Sequence, residues 1–363
     1  MLYIIIAILM FGILIALHEF GHFITAKLLG VRVNEFAIGM GPLLFSTQKG
    51  ETQYSLRAIP MGGFCAMEGE DDASDDPRAF SNKPAWRKFI ILVAGSFMNF
   101  LTGFVLLALL LAQNTFFVVP VIDTLMEGFP YESAQGLLPG DRIVRVNGER
   151  IYTKSDLDLF FGRDEDGIMD LVIERDGVRL ERPGFDLRPR EYTYEGKTVQ
   201  MRGLICVREP FHVGNWLRQS WYNTIDMVRM VRLSLVDLFS GRAGIQDMSG
   251  PIGIVTMMSD VGAQSPNMAA ALANILWFVA FIAINLAVMN LLPIPALDGG
   301  RIFFLAVNGL FSLLTRRKLD PKYEGYVNMA GVCCLILLAP SNTRRNRRTQ
   351  APMAFNDIVK LFA

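Results

Sequence analysis

Two histidines four residues apart, His18 and His22, with Glu19 directly after the first, sit inside an N-terminal segment that is otherwise almost purely apolar. On a helix the two imidazoles share one face. Neutral imidazoles so placed can bind one Zn²⁺ while the intervening carboxylate activates a water, the chemistry His-Glu-x-x-His carries in metalloproteases. The chain has only three histidines, so random placement would rarely produce this arrangement. The bland alternative is a cluster of buried polar side chains bonded to their neighbours. An ionisable residue at the centre of a spanning helix costs ~2.5–3.5 kcal/mol on insertion scales, so three together call for a compensating role, and metal chemistry supplies one.

The composition fits a membrane setting. Of 363 residues 52% are hydrophobic and the mean hydropathy is +0.33, high for a soluble chain, with the excess concentrated in blocks. Charge balances at 35 basic and 35 acidic residues, so nothing marks a nucleic-acid binder. Cys65, Cys206, Cys333 and Cys334 form no Cys-x-x-Cys pair, and ordinary free thiols are expected. Leu2 to Ala26 lacks the basic start and small-residue cleavage site of a signal peptide. Since ~20 residues at ~1.5 Å each cross the hydrocarbon core, it reads as a retained first transmembrane helix.

Further apolar blocks run from Phe89 to Ala112 and from Met268 to Leu292, with a shorter one from Val327 to Ala339. The expectation is a four-span helical membrane protein with an inserted soluble domain. Lys27, Arg32, Lys49, Arg57, Arg78, Lys83, Arg87 and Lys88 lie between the first two spans, and the positive-inside rule makes that loop cytoplasmic. Residues 113–267 are then outside, while Arg301, Arg316, Arg317, Lys318 and Lys322 return the chain inside after the third span. Counted from outside, the two histidines lie ~26–33 Å along the first helix, towards the cytoplasmic leaflet.

The external segment carries a small α+β module at about residues 118–190. Gly136-Leu-Leu-Pro-Gly-Asp opens it as a turn, an alternating strand follows, and Asn147-Gly148 and Asp176-Gly177 are hairpin signals. Ser155 is placed to cap a short helix with Leu157, Phe160 and Phe161 on its apolar side. The module resembles a PDZ domain, which implies a strand edge that binds extended peptides or a substrate C-terminus; a spacer without ligand is the alternative. Residues 191–267 follow. Within them Asn215 to Ser240 mixes aromatics and charge, fitting a helix lying on the membrane surface or, equally, a packed soluble helix.

A zincin-like site needs a third protein ligand and an open fourth position. Asp298, in Asn290-Leu-Leu-Pro293-Ile-Pro295-Ala-Leu-Asp298-Gly-Gly300, lies at the inner end of the third span, the depth assigned to the histidines. Asp-Gly-Gly as a mere surface turn is the competing reading. In the 27–88 loop, residues 52–59 read as a strand ending at Pro60 and turned by Gly62-Gly63, with an edge able to pair with an extended substrate.

Together, His18-Glu19-Phe20-Gly21-His22, the Asn290 to Asp298 segment and the PDZ-like insert resemble the site-2 protease family of intramembrane zinc metalloproteases, nearest to the bacterial members that cleave anti-sigma factors. The resemblance implies one Zn²⁺ held by His18, His22 and Asp298, Glu19 as catalytic acid/base, and Asn290, Pro293 and Pro295 as substrate-holding residues. It further implies a multi-pass protein of the bacterial plasma membrane that cleaves single-span substrates such as anti-sigma factors or signal-peptide remnants after their ectodomains are trimmed. The corresponding division is 1–112 for spans one and two with a cytoplasmic-side β loop, 118–190, 191–267, and 268–363 for spans three and four. One departure stands out: the fourth span is interrupted by the basic segment 340–352. Two other classes remain open, a membrane metal transporter, against which the second span offers little polarity beyond Asn99 and Thr102, and a non-enzymatic scaffold.

Overall fold

α1 (Leu2–Leu28) is apolar nearly all round and ends where Gly30 turns left-handed (φ +71), with Val31 N–H donating to Ala26 O at 2.8 Å. That six-to-one bond is the Schellman close of a helix, which a Cβ would disfavour. The computed structural model describes residues 2–70, 74–194, 196–242 and 251–316, together with Gly325. The expected fourth span, Val327 to Ala339, and the basic segment 340–352 lie outside the described residues. Within them the chain forms two compact units, one from the residues up to Leu107 and from Met227 onward, the other from Ala108–Asp226.

Among the described residues three helices are long and apolar enough to cross a membrane: Tyr3–Leu28 of α1, α2 (Ala85–Leu111) and α6 (Met268–Asn290). α2 starts four residues before the expected Phe89. Pro84 O accepts from both Arg87 and Lys88 N–H, so a charged turn precedes the apolar block. α6 is capped by Asn267, whose side chain accepts from Ala270 N–H, and α5 (Pro251–Gln264) and α7 (Asp298–Thr315) flank it in sequence. The helices approach closely at glycines. A Cβ on Gly21 would lie 2.4 Å from Ala94 O, and one on Gly103 2.6 Å from Ile284.

β1 (Val33–Lys49) and β2 (Thr52–Met67) form the hairpin of the 27–88 loop, closed at Gly50-Glu51. Lys27 and Arg78 both donate to Glu51, at 2.8 and 2.7 Å, tying the hairpin end to the foot of α1. The hydrogen bond from Lys27 and, against some burial, that from Arg78 hold the Glu51 carboxyl below its ordinary value. β2 runs through Pro60 and bends back upon β1. Residues 35–38 therefore have partners on both sides, Ala66 to Gly63 antiparallel on one and Gln53 to Leu56, at constant offset, on the other. Residues 53–56 are thus not an edge, because 45–48 and 35–38 flank them; among the described residues the outer strands of this sheet are 63–67 on one side and 43–49 on the other. A sequence window shows a strand but not a second partner brought in by a bend.

The second unit holds a sheet of order β10-β3-β4-β6-β7, with β5 paired to β4. Its strands are β3 (Phe116–Leu125), β4 (Arg142–Val146), β5 (Glu149–Arg150), β6 (Ile168–Arg175), β7 (Val178–Asp186) and β10 (Leu204–Pro210); β8 (Arg190–Tyr194) and β9 (Lys197–Met201) form a separate hairpin. Asn147-Gly148 and Asp176-Gly177 are both at positive φ, the requirement of a type I′ turn. β10 pairs with β3, so the sheet extends past residue 190. Thr153, not Ser155, caps α3 (Lys154–Arg163), because its extended backbone and Asp156 three residues on complete a reciprocal capping box. α4 (Val213–Phe239) begins in this unit as a packed helix. Asn215, Gln219, Ser220, Thr224 and Asp226 are buried, and Thr153 donates to Asp226 at 2.7 Å.

A buried ion pair holds the sheet to the loop before β4. Arg175 Nε and Nη2 donate to the two oxygens of fully buried Asp141 at 2.6 and 2.7 Å. Arg175→Met would strand that carboxylate, and removing one partner of a buried pair costs about 3–5 kcal/mol. Limited proteolysis of the full-length protein in detergent is expected to show faster cutting within residues 131–141.

Candidate metal centre

α1 brings His18 and His22 to one face, and a fold 276 residues later brings Asp298 to them. His18 Nε2 lies 3.2 Å from His22 Nε2 and 3.2 Å from Asp298 Oδ2, while His22 Nε2 lies 3.3 Å from the same oxygen. Three donors bound at about 2.0 Å around a tetrahedral ion would be about 3.3 Å apart, so the triangle fits Zn²⁺. All three are largely buried, and they form the one group of metal-type donors among the described residues. Two imidazoles and a carboxylate suit zinc, and three protein donors leave a position open for chemistry.

Asp298 arrives by a backbone device. α6 ends at Asn290, and residues 291–297 turn tightly, with Ile294 N–H donating to Leu292 O at 2.7 Å and Ala296 at φ +74. α7 then starts directly against that turn. A Cβ on Gly299 would lie 2.1 Å from Leu292 O, and one on Gly300 2.4 Å from Ile294 O, so both glycines are required for backbone-to-backbone contact. Asp298 occupies the first turn of α7, where the helix dipole favours a carboxylate. Arg301, one turn on, donates to Glu70 at 2.5 Å, and Glu70 accepts from Met67 N–H, tying the ligand helix to the end of β2.

The remaining residues singled out in the sequence fall as follows. Glu19 is half-buried beside the hairpin, its Cγ 3.5 Å from where a Cβ on Gly63 would stand, next to the unpaired side of residues 63–67. Asn290 Nδ2 lies 3.4 Å from His18 Nε2, so its amide reaches the donor cluster. Pro293 and Pro295 lie in the turn between α6 and α7, where Pro295 backs Gly300. The third histidine, His212, accepts from Asn215 N–H at the start of α4, away from any metal-type group. Burial pushes the Cys206 thiol up to about 11 and raises that of Cys65, so both stay protonated.

α2 supplies three contacts that the sequence did not announce. His22 Nδ1 lies 2.8 Å from Ile91 O, so the carbonyl accepts its proton and leaves Nε2 bare. Gly95 faces the cluster, where a Cβ would stand 2.3 Å from His22 Nε2 and 2.8 Å from His18 Nε2. Asn99, 1% exposed, pairs with His18 Nδ1 at 3.2 Å. The available signal was a small residue and an amide one helical turn apart in an apolar block.

An apolar cavity of about 450 Å³ opens on the face of α1 away from His18 and His22, between Leu9, Ile13, Leu17 and Phe20 of α1 and Phe36, Ile38 and Leu56 of the hairpin. Ile38, Met40, Leu43, Leu44, Phe45 and Ile59 of the hairpin are also exposed. Pro60 O reaches Gly12, where a Cβ would stand 2.3 Å away. The hairpin thus climbs α1 by six residues beyond His18, about 9 Å.

Residues 6–338 match the family model described as peptidase family M50. A Clostridium acetobutylicum protein named "Putative zinc metalloprotease" is 36% identical over 338 residues, covering 92% of this chain and 94% of its own. A Fusobacterium nucleatum protein, also named a putative zinc metalloprotease, is 33% identical, covering 98% of each chain. The Bacillus subtilis regulator of sigma-W protease RasP is 27% identical, again with 98% of each chain covered. With the family model spanning nearly the whole chain, this protein belongs to peptidase family M50, the site-2 protease family, and is a membrane zinc metalloprotease.

Proposed function

We propose that the protein hydrolyses peptide bonds within the membrane-spanning segment of its substrate, with His18, His22 and Asp298 holding Zn²⁺ and Glu19 moving the proton. The observation that carries this reading is the convergence of three donor atoms within 3.3 Å, two of them on a helix apolar enough to span a membrane and the third on α7. Bound Zn²⁺ supplies a Lewis acid that polarises the scissile carbonyl and brings the pKa of a water to about 7. Glu19 takes the proton from the attacking water and returns it to the leaving amine. α2 covers the cluster through Ile91, Gly95 and Asn99, and Glu19 follows His18 on α1 next to the hairpin.

A spanning helix hides its carbonyls in its own hydrogen bonds, so the substrate must unwind locally and its freed backbone groups must find partners. The unpaired side of residues 63–67 offers strand pairing next to Glu19, and the Asn290 amide offers a donor and an acceptor. Pro293 and Pro295 shape the turn that presents Asn290. Asn290→Leu is expected to slow cleavage about tenfold or more with zinc retained, since one good polar contact is worth about 1.5 kcal/mol. Loss of zinc in that variant would reassign Asn290 to the metal shell.

On this reading the protein is a multi-pass protein of the bacterial plasma membrane. Four spans, the fourth at Val327 to Ala339, have the 27–88 loop and the metal centre towards the cytoplasm by the positive-inside rule. The sheet and capped helix of residues 118–190 act outside as a PDZ-like module that restricts cleavage to single-span substrates with trimmed ectodomains, anti-sigma factors and signal-peptide remnants among them. The type I′ hairpins and the β10 to β3 pairing support a stable open sheet whose outer strands are β10 and β7.

The test is reconstitution of the purified protein with one transmembrane segment fused to progressively larger ectodomains. Product masses are expected to place the cut inside the apolar segment and the rate to fall as the ectodomain grows. Cuts confined to the soluble flanks would overturn intramembrane cleavage. A rate independent of ectodomain size would overturn the filter alone.

A further inference from the structure

An imidazole binds a metal through one nitrogen only if the other carries the proton, so each ligand histidine needs an acceptor behind it. For His22 the backbone provides one, Ile91 O at 2.8 Å from Nδ1. For His18 the partner of Nδ1 is the side-chain amide of Asn99 on α2, 81 residues away. That amide is 1% exposed. Its nitrogen faces Nδ1 at 3.2 Å, and its oxygen is buried without a partner.

An amide nitrogen donating to Nδ1 would place the ring proton on Nε2, in the space where His22 Nε2 and Asp298 Oδ2 converge. A proton there blocks metal binding. The two ends of an amide are nearly equal in size, so a half-turn about the Cβ–Cγ bond fits the same space and presents the unpartnered oxygen to Nδ1.

We propose that Asn99 is the positioning residue of the metal centre: its Oδ1 accepts the His18 Nδ1 proton, fixes the tautomer that frees Nε2, and so makes the second span part of the zinc site. The proposal rests on His18 being a ligand. It assigns a role to the side chain that first looked like stray polarity in the second span.

Full-length protein in detergent is titrated with zinc against a chelator of known affinity, comparing the parent with Asn99→Leu and Asn99→Asp. Leu keeps the bulk and removes the acceptor, and is expected to weaken zinc about 10- to 100-fold, the usual effect of losing such a partner. Asp can only accept when ionised, and is expected to restore parental affinity or exceed it. Parental affinity in Asn99→Leu, or equal weakness in both variants, would overturn the proposal. A second measurement does not depend on a variant folding. The chain has three histidines, so ¹⁵N-histidine spectra of the zinc-loaded parent resolve each ring, and His18 is expected with a protonated Nδ1 in hydrogen-bond coupling to Asn99. A bare Nδ1 would overturn the assignment. Full zinc retention by His18→Ala would instead sink the ligand reading, and the proposal with it.

Discussion

Replacing Glu19 by Gln is expected to lower cleavage of a transmembrane substrate about 10²- to 10⁴-fold, the usual contribution of a positioned acid/base. Zinc should stay at one per chain. The amide keeps the shape of the carboxyl, and the three donor atoms that converge come from His18, His22 and Asp298, so the metal loses no protein partner. What disappears is the group able to take a proton from water and hand it to the leaving amine. Cleavage rates and metal content measured on the same preparation check this. Zinc lost in step with activity would make Glu19 a ligand or a structural residue.

Gly95→Ala should remove zinc rather than slow the chemistry alone. The new methyl would stand 2.3 Å from His22 Nε2 and 2.8 Å from His18 Nε2, a separation at which something must move. The methyl is fixed to the α2 backbone, so the imidazoles must give way. Overpacking of this kind costs about 1–3 kcal/mol, which corresponds to about 5- to 150-fold in zinc affinity. Gly309→Ala on α7 is the matched control, because a Cβ there meets nothing within 4 Å. Chelator competition on both variants decides the matter, and unchanged affinity in Gly95→Ala would show that α2 stands further from the metal than this geometry has it.

The parts of the molecule readable from sequence were those with local causes. Asn147-Gly148 and Asp176-Gly177 turn where they should, because positive φ at two successive positions is a property of those residues themselves. The three spans follow from runs of apolar side chains, with ends displaced by a few residues where charged turns join the helix. The α3 cap shifted from Ser155 to Thr153 because capping depends on which residue can be extended while Asp156 reaches back to it. The strand at residues 52–59 was legible, but its edge was not. The bend that brings residues 35–38 alongside it is set by packing against α1, with Pro60 seated on Gly12.

By itself the sequence determined the donor set. His18 and His22 share a face because a helix repeats every 3.6 residues, and the apolar setting made a carboxylate at the far end of another span worth seeking. Only the tertiary structure decided that Asp298 meets them, at 3.2 and 3.3 Å, since that requires Gly299 and Gly300 to let α7 start against the preceding turn. It also decided that the second span is the wall of the site, through Ile91 O, Gly95 and Asn99. Those contacts join residues 69 to 81 positions apart, and no periodicity within either helix encodes which face of one will meet which face of the other.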